Sequence, residues 1–234
     1  MVAIYKREMR AFFKTPVGYI FMGIFLCASA FLCSFATLKQ QSCDVSLYFQ
    51  LLIMAYVVIL PLLTMKSFAE EKKQGTEQLL LTSPVSLTSL VGAKFLSAMT
   101  MFVITLGVSC LYFIPLGIYG EPNAGRIFGC VIGMILIGMC FIAIGILVSS
   151  LTENQFVAAM VTIGILALLV ILGVISTYVN STVISTVISW VSIYSRFTNF
   201  TYGIFDVASA LYYISVAGVC LFLTVRVFER RRFA

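Results

Sequence analysis

The sequence predicts an all-α polytopic membrane protein with six transmembrane helices, and three observations predict it: composition, the spacing of the charges, and the sidedness of lysine and arginine. Of 234 residues, 61% are hydrophobic and only 10% are charged, with a mean hydropathy of +1.08. A soluble domain carries about 25% charged residues, and a soluble fold of this length has too little interior for so much apolar surface. Disorder is excluded by the same numbers, because disordered chains are polar and charge-rich.

The charges divide the chain into uncharged stretches at 15–38, 45–65, 95–120, 127–152, 154–195 and 207–225. A helix needs about 20 apolar residues to cross the hydrocarbon core, and each stretch is long enough or nearly so. None shows the alternation of about 10-residue barrel strands. Basic residues then orient the spans. Lys6, Arg7, Arg10 and Lys14 precede the first span, Lys66, Lys72, Lys73 and Lys94 lie between the second and third, and Arg226, Arg230, Arg231 and Arg232 follow the last. The other side holds Lys39, Arg126 and Arg196. Twelve against three places both termini in the cytoplasm and requires an even number of crossings.

That parity resolves the long 154–195 stretch. Its first part reads as one span at about 155–178. Its second part is interrupted by Asn180, Ser181, Thr182, Ser185, Thr186 and Ser189 and carries Trp190 and Tyr194, residues that suit an interface. The segment at about 179–203, with Trp190, Tyr194 and Arg196, is therefore expected outside, dipping in or lying on the surface. Irregular backbone at membrane depth must be covered by protein or water, so this segment should pack against the spans.

At the N-terminus, Val2, Tyr5, Met9, Phe12 and Phe13 recur at helical spacing, and Lys6, Arg7, Arg10 and Lys14 take the other face. Residues 1–15 read as an amphipathic helix in the interface plane, its basic face toward headgroups. Thr15-Pro16 should end it and open the first span. A signal peptide is the competing reading, disfavoured because no small-residue cleavage site follows a run of full span length.

The 66–94 segment, KSFAEEKKQGTEQLLLTSPVSLTSLVGAK, is the largest cytosolic element. Glu70, Glu71, Lys72 and Lys73 are expected to carry the second helix into water, Gly75 to cap it in a left-handed turn, and Ser83-Pro84 to restart a helix. Leu79, Leu80 and Leu81 form an apolar patch, either a partner surface or a contact with the membrane interface.

Other chemistry is sparse. The chain has seven cysteines and no histidine. Cys43 alone sits in an external loop, so internal disulfides and zinc or haem sites are not expected, and the rest read as apolar packing. Gly125, Gly129 and Gly133 form a G-x-x-x-G-x-x-x-G series that suits close helix packing. Lys94, Asp206 and Arg226 sit near span ends, and no acid or base lies mid-membrane, which disfavours ion- or proton-coupled carriers. No phosphate-binding loop of the G-x-x-x-x-G-K-[ST] type occurs. No catalytic residue, cofactor or metal site is expected in this chain.

Four segments carry a resemblance: KREMRAFFKTPVGYI at the start, EEKKQGTEQLLLTSPVS in the loop, SSLTENQFVA at 149–158, and RFTNFTYGIFDVASALYYISV leading to FERRRF. In that order, and with that hydropathy, the chain resembles the permease subunits of ABC-2-type transporters, particularly the gliding-motility-type branch. The resemblance implies an N-terminal elbow helix, a coupling helix that docks on a separate ATPase, and re-entrant helices before the last span. Carried onto this sequence, the ATPase-coupling residues are Gly75, Thr76, Glu77, Leu80, Leu81 and Pro84. Glu153 and Asn154, in the turn between spans four and five, are a second cytosolic contact. The implied function is the membrane half of an ATP-driven transporter, an exporter by expectation, in the inner membrane of a prokaryote. It would pair with a second permease subunit, identical or homologous, and with two copies of an ABC ATPase that bind ATP and Mg. Nucleic acid is not an expected partner. Thr100, Thr105, Ser109, Tyr112 and Thr162 offer hydroxyls but no charge, which suits a lipidic, amphiphilic or neutral substrate. A scaffold for an ATPase-linked assembly and an ATPase-independent carrier remain the alternatives.

Overall fold

A computed structural model of the chain describes residues 1–38, 45–73, 75, 86–119, 123–176, 192–203 and 206–233. Helix α1 (Val2–Lys14) ends at Thr15, whose extended backbone (φ −93°, ψ 150°) redirects the chain into α2 (Pro16–Cys33) with Pro16 in its first turn. Proline fits there because the amide it lacks would have no helical partner. A wider π turn, Ser34–Leu38, finishes this helix. Then follow α3 (Ser46–Thr64), α4 (Lys66–Lys73), α5 (Leu87–Ser109), a 3₁₀ turn at Cys110–Tyr112 leading into α6 (Phe113–Tyr119), α7 (Ala124–Leu151), α8 (Gln155–Ser176), α9 (Ile193–Thr201) and α10 (Val207–Phe233).

Among the described residues, six helices are long and apolar enough to cross a membrane: Pro16–Thr37, Ser46–Lys73, Leu87–Gly117, Ala124–Leu151, Gln155–Ile175 and Val207–Arg232. Every described element is helical, which satisfies backbone polar groups where no water competes for them.

The fourth span, α7, is the most buried of the six and packs against α3, α4, α5, α8, α9 and α10. Between helices in lipid the attraction is close packing rather than water exclusion. Glycines on α7 provide that closeness: a Cβ at Gly138 would overlap the Phe102 ring, and one at Gly145 would overlap Thr64. Beside α7, the buried rings of Phe25, Tyr56 and Phe102 meet with centroids 5.3–6.3 Å apart.

Both termini lie at one end of the bundle. Tyr5 on α1 donates to Thr100 Oγ1 of α5 (3.1 Å), and Phe228 near the end of α10 packs on Phe68 of α4 (4.7 Å). Two expectations need correction at this end. The helix α4 does not simply stand out into water; Phe68 and Ala69 are buried, and the helix lies against α7. The inner face of α1 is Ile4, Tyr5, Glu8, Met9 and Phe12, while Val2 and Phe13 stay exposed. Three of the five stripe residues, Tyr5, Met9 and Phe12, thus meet protein, and Glu8 turns inward with them.

Candidate functional site

The loop expected to couple to an ATPase hangs from α4 and α5, so the candidate site is the bundle end where these helices meet α1, α7 and α10. Gly75 closes α4 at φ +69°, its amide donating to the Lys72 carbonyl (3.1 Å). That left-handed conformation favours glycine and is the cap expected there. Thr76, Glu77, Leu80, Leu81 and Pro84 lie outside the described residues. The chain resumes at Ser86, whose extended backbone (φ −67°, ψ 137°) opens α5.

Four charged residues lock the base of this loop. Lys94 is 3% exposed on α5; its Nζ lies 3.0 Å from Glu71 Oε1 on α4 and 3.4 Å from Glu8 Oε1 on α1. It also donates to the Ser67 carbonyl and sits 4.8 Å from the Phe68 ring centroid. Arg7 bridges the same two acids, at 2.8 Å to Glu8 and 3.0 Å to Glu71. The Glu8 hydrogen bond is the main reason the Arg7 guanidinium is held above its usual pKa, with Glu71 adding to it against partial desolvation. Two cations and two anions balance, which is what permits a lysine to be buried there. Lys94, expected near a span end, sits seven residues inside a helix that begins at Leu87, and the two glutamates take the place of water.

A second lock joins α4 to α7. Ser149 Oγ accepts the amides of Phe68 and Ala69 (3.1 Å each) and donates to the Met65 carbonyl (3.2 Å). Those backbone groups are the ones freed where the second span breaks between Thr64 and Lys66, four residues after Pro61. One hydroxyl therefore fastens the joint that carries the loop. In the turn after α7, Asn154 Oδ1 accepts the Phe156 amide (2.9 Å), and Glu153 pairs with Lys72 at 3.1 Å. Glu153 is 70% exposed, so this pair orients more than it stabilises.

At the opposite end, Trp190 lies outside the described residues. Tyr194 and Arg196 fall on α9, too short to cross a bilayer and seated on α7, α8, α3 and α10. Phe197 and Phe200 are fully buried, Arg196 stacks 4.3 Å from the Tyr212 ring centroid, and Tyr213 Oη donates to the Ile193 carbonyl (2.8 Å). Asp206 caps α10, accepting from the Ala208 amide (3.0 Å), Ser209 Oγ (2.6 Å) and Asn199 Nδ2 (3.1 Å). The Ser209 and Asn199 bonds hold its carboxyl below the usual range.

The hydroxyls expected to face a substrate are spent within the chain. Thr105, Ser109 and Thr162 are buried and donate to Met101, Leu106 and Ala158 carbonyls of their own helices. Thr100 donates to the Leu96 carbonyl, and Tyr112 reaches the Leu26 carbonyl (3.2 Å). Among the described residues, no three of His, Cys, Asp and Glu gather as metal ligands.

The six spans, the short helix packed along one end and the ion-locked loop base at the other define a polytopic helical membrane protein. The family model for the ABC-2 family transporter protein matches residues 39–228. The chain belongs to that family, as a membrane transport component. No curated protein matches it.

Proposed function

We propose that this chain is the membrane-spanning half of an ATP-driven exporter, nearest in its four sequence anchors to the gliding-motility-type permeases. A separate ABC ATPase docks on the 66–94 loop. The observation that carries the reading is the four-helix lock at the loop base. The stalk helix α4 is tied to α1 and α5 through Glu71, and to α7 through Ser149. A push on the loop would then reach several spans at once instead of bending one. Two such chains, identical or homologous, enclose the path, and two ATPase copies bind ATP and Mg. Since Thr100, Thr105, Ser109, Tyr112 and Thr162 are bonded within the chain, the path lies against apolar surface, which suits a lipidic or amphiphilic substrate. Residues 1–15 act as the interfacial elbow, and 179–203 as the external re-entrant segment.

The coupling is tested at Leu80 and Leu81. Burying a leucine side chain contributes about 1.5–3 kcal/mol, and an unpaired charge in its place costs more than that gain. Leu80→Asp/Leu81→Asp should abolish capture of the ATPase by the tagged permease in detergent, at unchanged membrane abundance. Undiminished capture and ATPase activity would return these leucines to the membrane interface.

The orientation is tested at Cys43. With both termini in the cytoplasm of a prokaryotic cell, a membrane-impermeant maleimide should label intact cells, and Cys43→Ser should lose that signal. Labelling that requires permeabilisation would invert the topology.

A further inference from the structure

Where α7 ends beside the last turns of α10, the bundle surface opens into a groove of about 950 Å³. Its walls are Leu147 and Leu151, one turn apart on α7, and Leu223 and Val227, one turn apart on α10. Leu151 and Leu223 are 54% and 45% exposed, so the wall is open to its surroundings. On α10 the stripe continues as Arg226 and Arg230, which puts guanidinium groups on the terminus side of the leucines. Arg231 and Arg232 follow in the same last turn.

We infer that this groove binds one anionic phospholipid, its phosphodiester held by Arg226 and Arg230 and its first acyl methylenes lying on the four apolar side chains. Three features choose that occupant. The groove lies on the outer surface of two spans, where the neighbour of a membrane helix is lipid. Along α10 its cationic side chains follow Leu223, Arg226 beside Val227 and Arg230 nearly a turn beyond it, as the phosphate of a phospholipid follows its acyl chains. Basic pockets between spans on the cytoplasmic side are the setting in which anionic headgroups bind. Glu229, 2.8 Å from Arg226 Nη1, also lines the groove. Its carboxylate opposes a phosphate and tempers the site, which gives the proposal a sign that can be checked.

The test uses the delipidated full chain in detergent, without any ATPase, so that it stands or falls apart from the coupling reading. Native mass spectrometry would follow the first lipid adduct during titration with phosphatidylglycerol, phosphatidylethanolamine or phosphatidylcholine of matched acyl chains. Each arginine near a headgroup contributes roughly fivefold in affinity. Phosphatidylglycerol should therefore bind at least about fivefold more tightly than phosphatidylcholine. Arg226→Gln/Arg230→Gln should erase that preference, Arg226→Lys/Arg230→Lys should keep most of it, and Glu229→Gln should strengthen it. Leu147→Trp/Leu151→Trp, which fills the groove, should remove the first adduct of every lipid. Arg126→Gln, at the far end of α7 from the groove, should change nothing. Equal affinity for the three lipids would overturn the assignment, as would a preference lost in the Arg126 variant but kept in the double arginine variant. Phosphatidylethanolamine bound best, and weakened by Glu229→Gln, would mean an ammonium site instead.

Discussion

Lys94→Met should destabilise the detergent-purified chain by about 3 kcal/mol, read as a fall in its unfolding free energy. Removing one partner of a buried ion pair costs about 3–5 kcal/mol, because the charge left behind has lost both water and its counter-ion. Here Glu8 and Glu71 would be left with side chains only 16% and 19% exposed. Arg7, which still reaches both, holds the effect to the lower end of that range. Methionine keeps the length and apolar stem of lysine, so lost volume is a minor part of the change. The triple variant Lys94→Met/Glu8→Gln/Glu71→Gln should recover most of the loss, since it neutralises the three buried charges together and leaves only Arg7, whose side chain is 53% exposed to water. A single variant as stable as wild type, or a triple variant no better than the single, would mean that the cluster does not hold α1, α4 and α5 together.

The contrast between this cluster and the rest of the fold explains what the sequence disclosed. Spans one, four and five were legible because an uncharged run of bilayer length leaves little freedom. The stretches 15–38 and 127–152 differ by a few residues from the helices at Pro16–Thr37 and Ala124–Leu151. The start of span three is not legible, because a lysine ordinarily marks the water boundary. Lys94 sits inside a helix that begins at Leu87, and its partners Glu71 and Glu8 are 23 and 86 residues away in the chain. No local pattern announces a pairing at that distance. The run of the second helix to Lys73 is legible in its charges, but the cover of that polar end by α7 is not. The joint at Ser149 was hidden for a different reason. A serine at the polar end of an apolar helix reads as ordinary composition, and only the broken backbone of a remote helix gives its hydroxyl three partners. Gly75 was legible, because a glycine just past two lysines at a helix end has a backbone reason to be there. In the glycine series at 125–133, Gly129 and Gly133 do serve packing, while Gly125 meets only its own cap residue Asn123; the sequence leaves the partner unnamed, since period-four glycines say that something lies close and not what it is.

That partner is α9, and Gly133→Leu should release it. A Cβ at Gly133 would stand 2.9 Å from Phe197 Cε2 and 3.1 Å from Phe200 Cγ, before any further side-chain atoms are added. Phe197 and Phe200 are fully buried, and the neighbouring Gly129 abuts the Phe200 carbonyl at 3.2 Å from its own would-be Cβ. The rings have no room to retreat with α9 pressed between α7 and α8, so the helix must lift as a unit. Overpacking a close-fitted site costs about 1–3 kcal/mol, and uncovering two buried phenylalanines adds about 1.5–3 kcal/mol each. Together these exceed what a nine-residue helix gains from its own hydrogen bonds, since helices of that length are marginal alone. Hydrogen exchange on the purified chain should show residues 193–201 losing protection, while α3 and the core of α7 keep theirs. Gly133→Ala should give a smaller change in the same direction. If 193–201 remain as protected in Gly133→Leu as in wild type, the glycine face does not seat this helix. If the whole bundle loses protection together, α9 is an integral part of the core, not a segment laid against it.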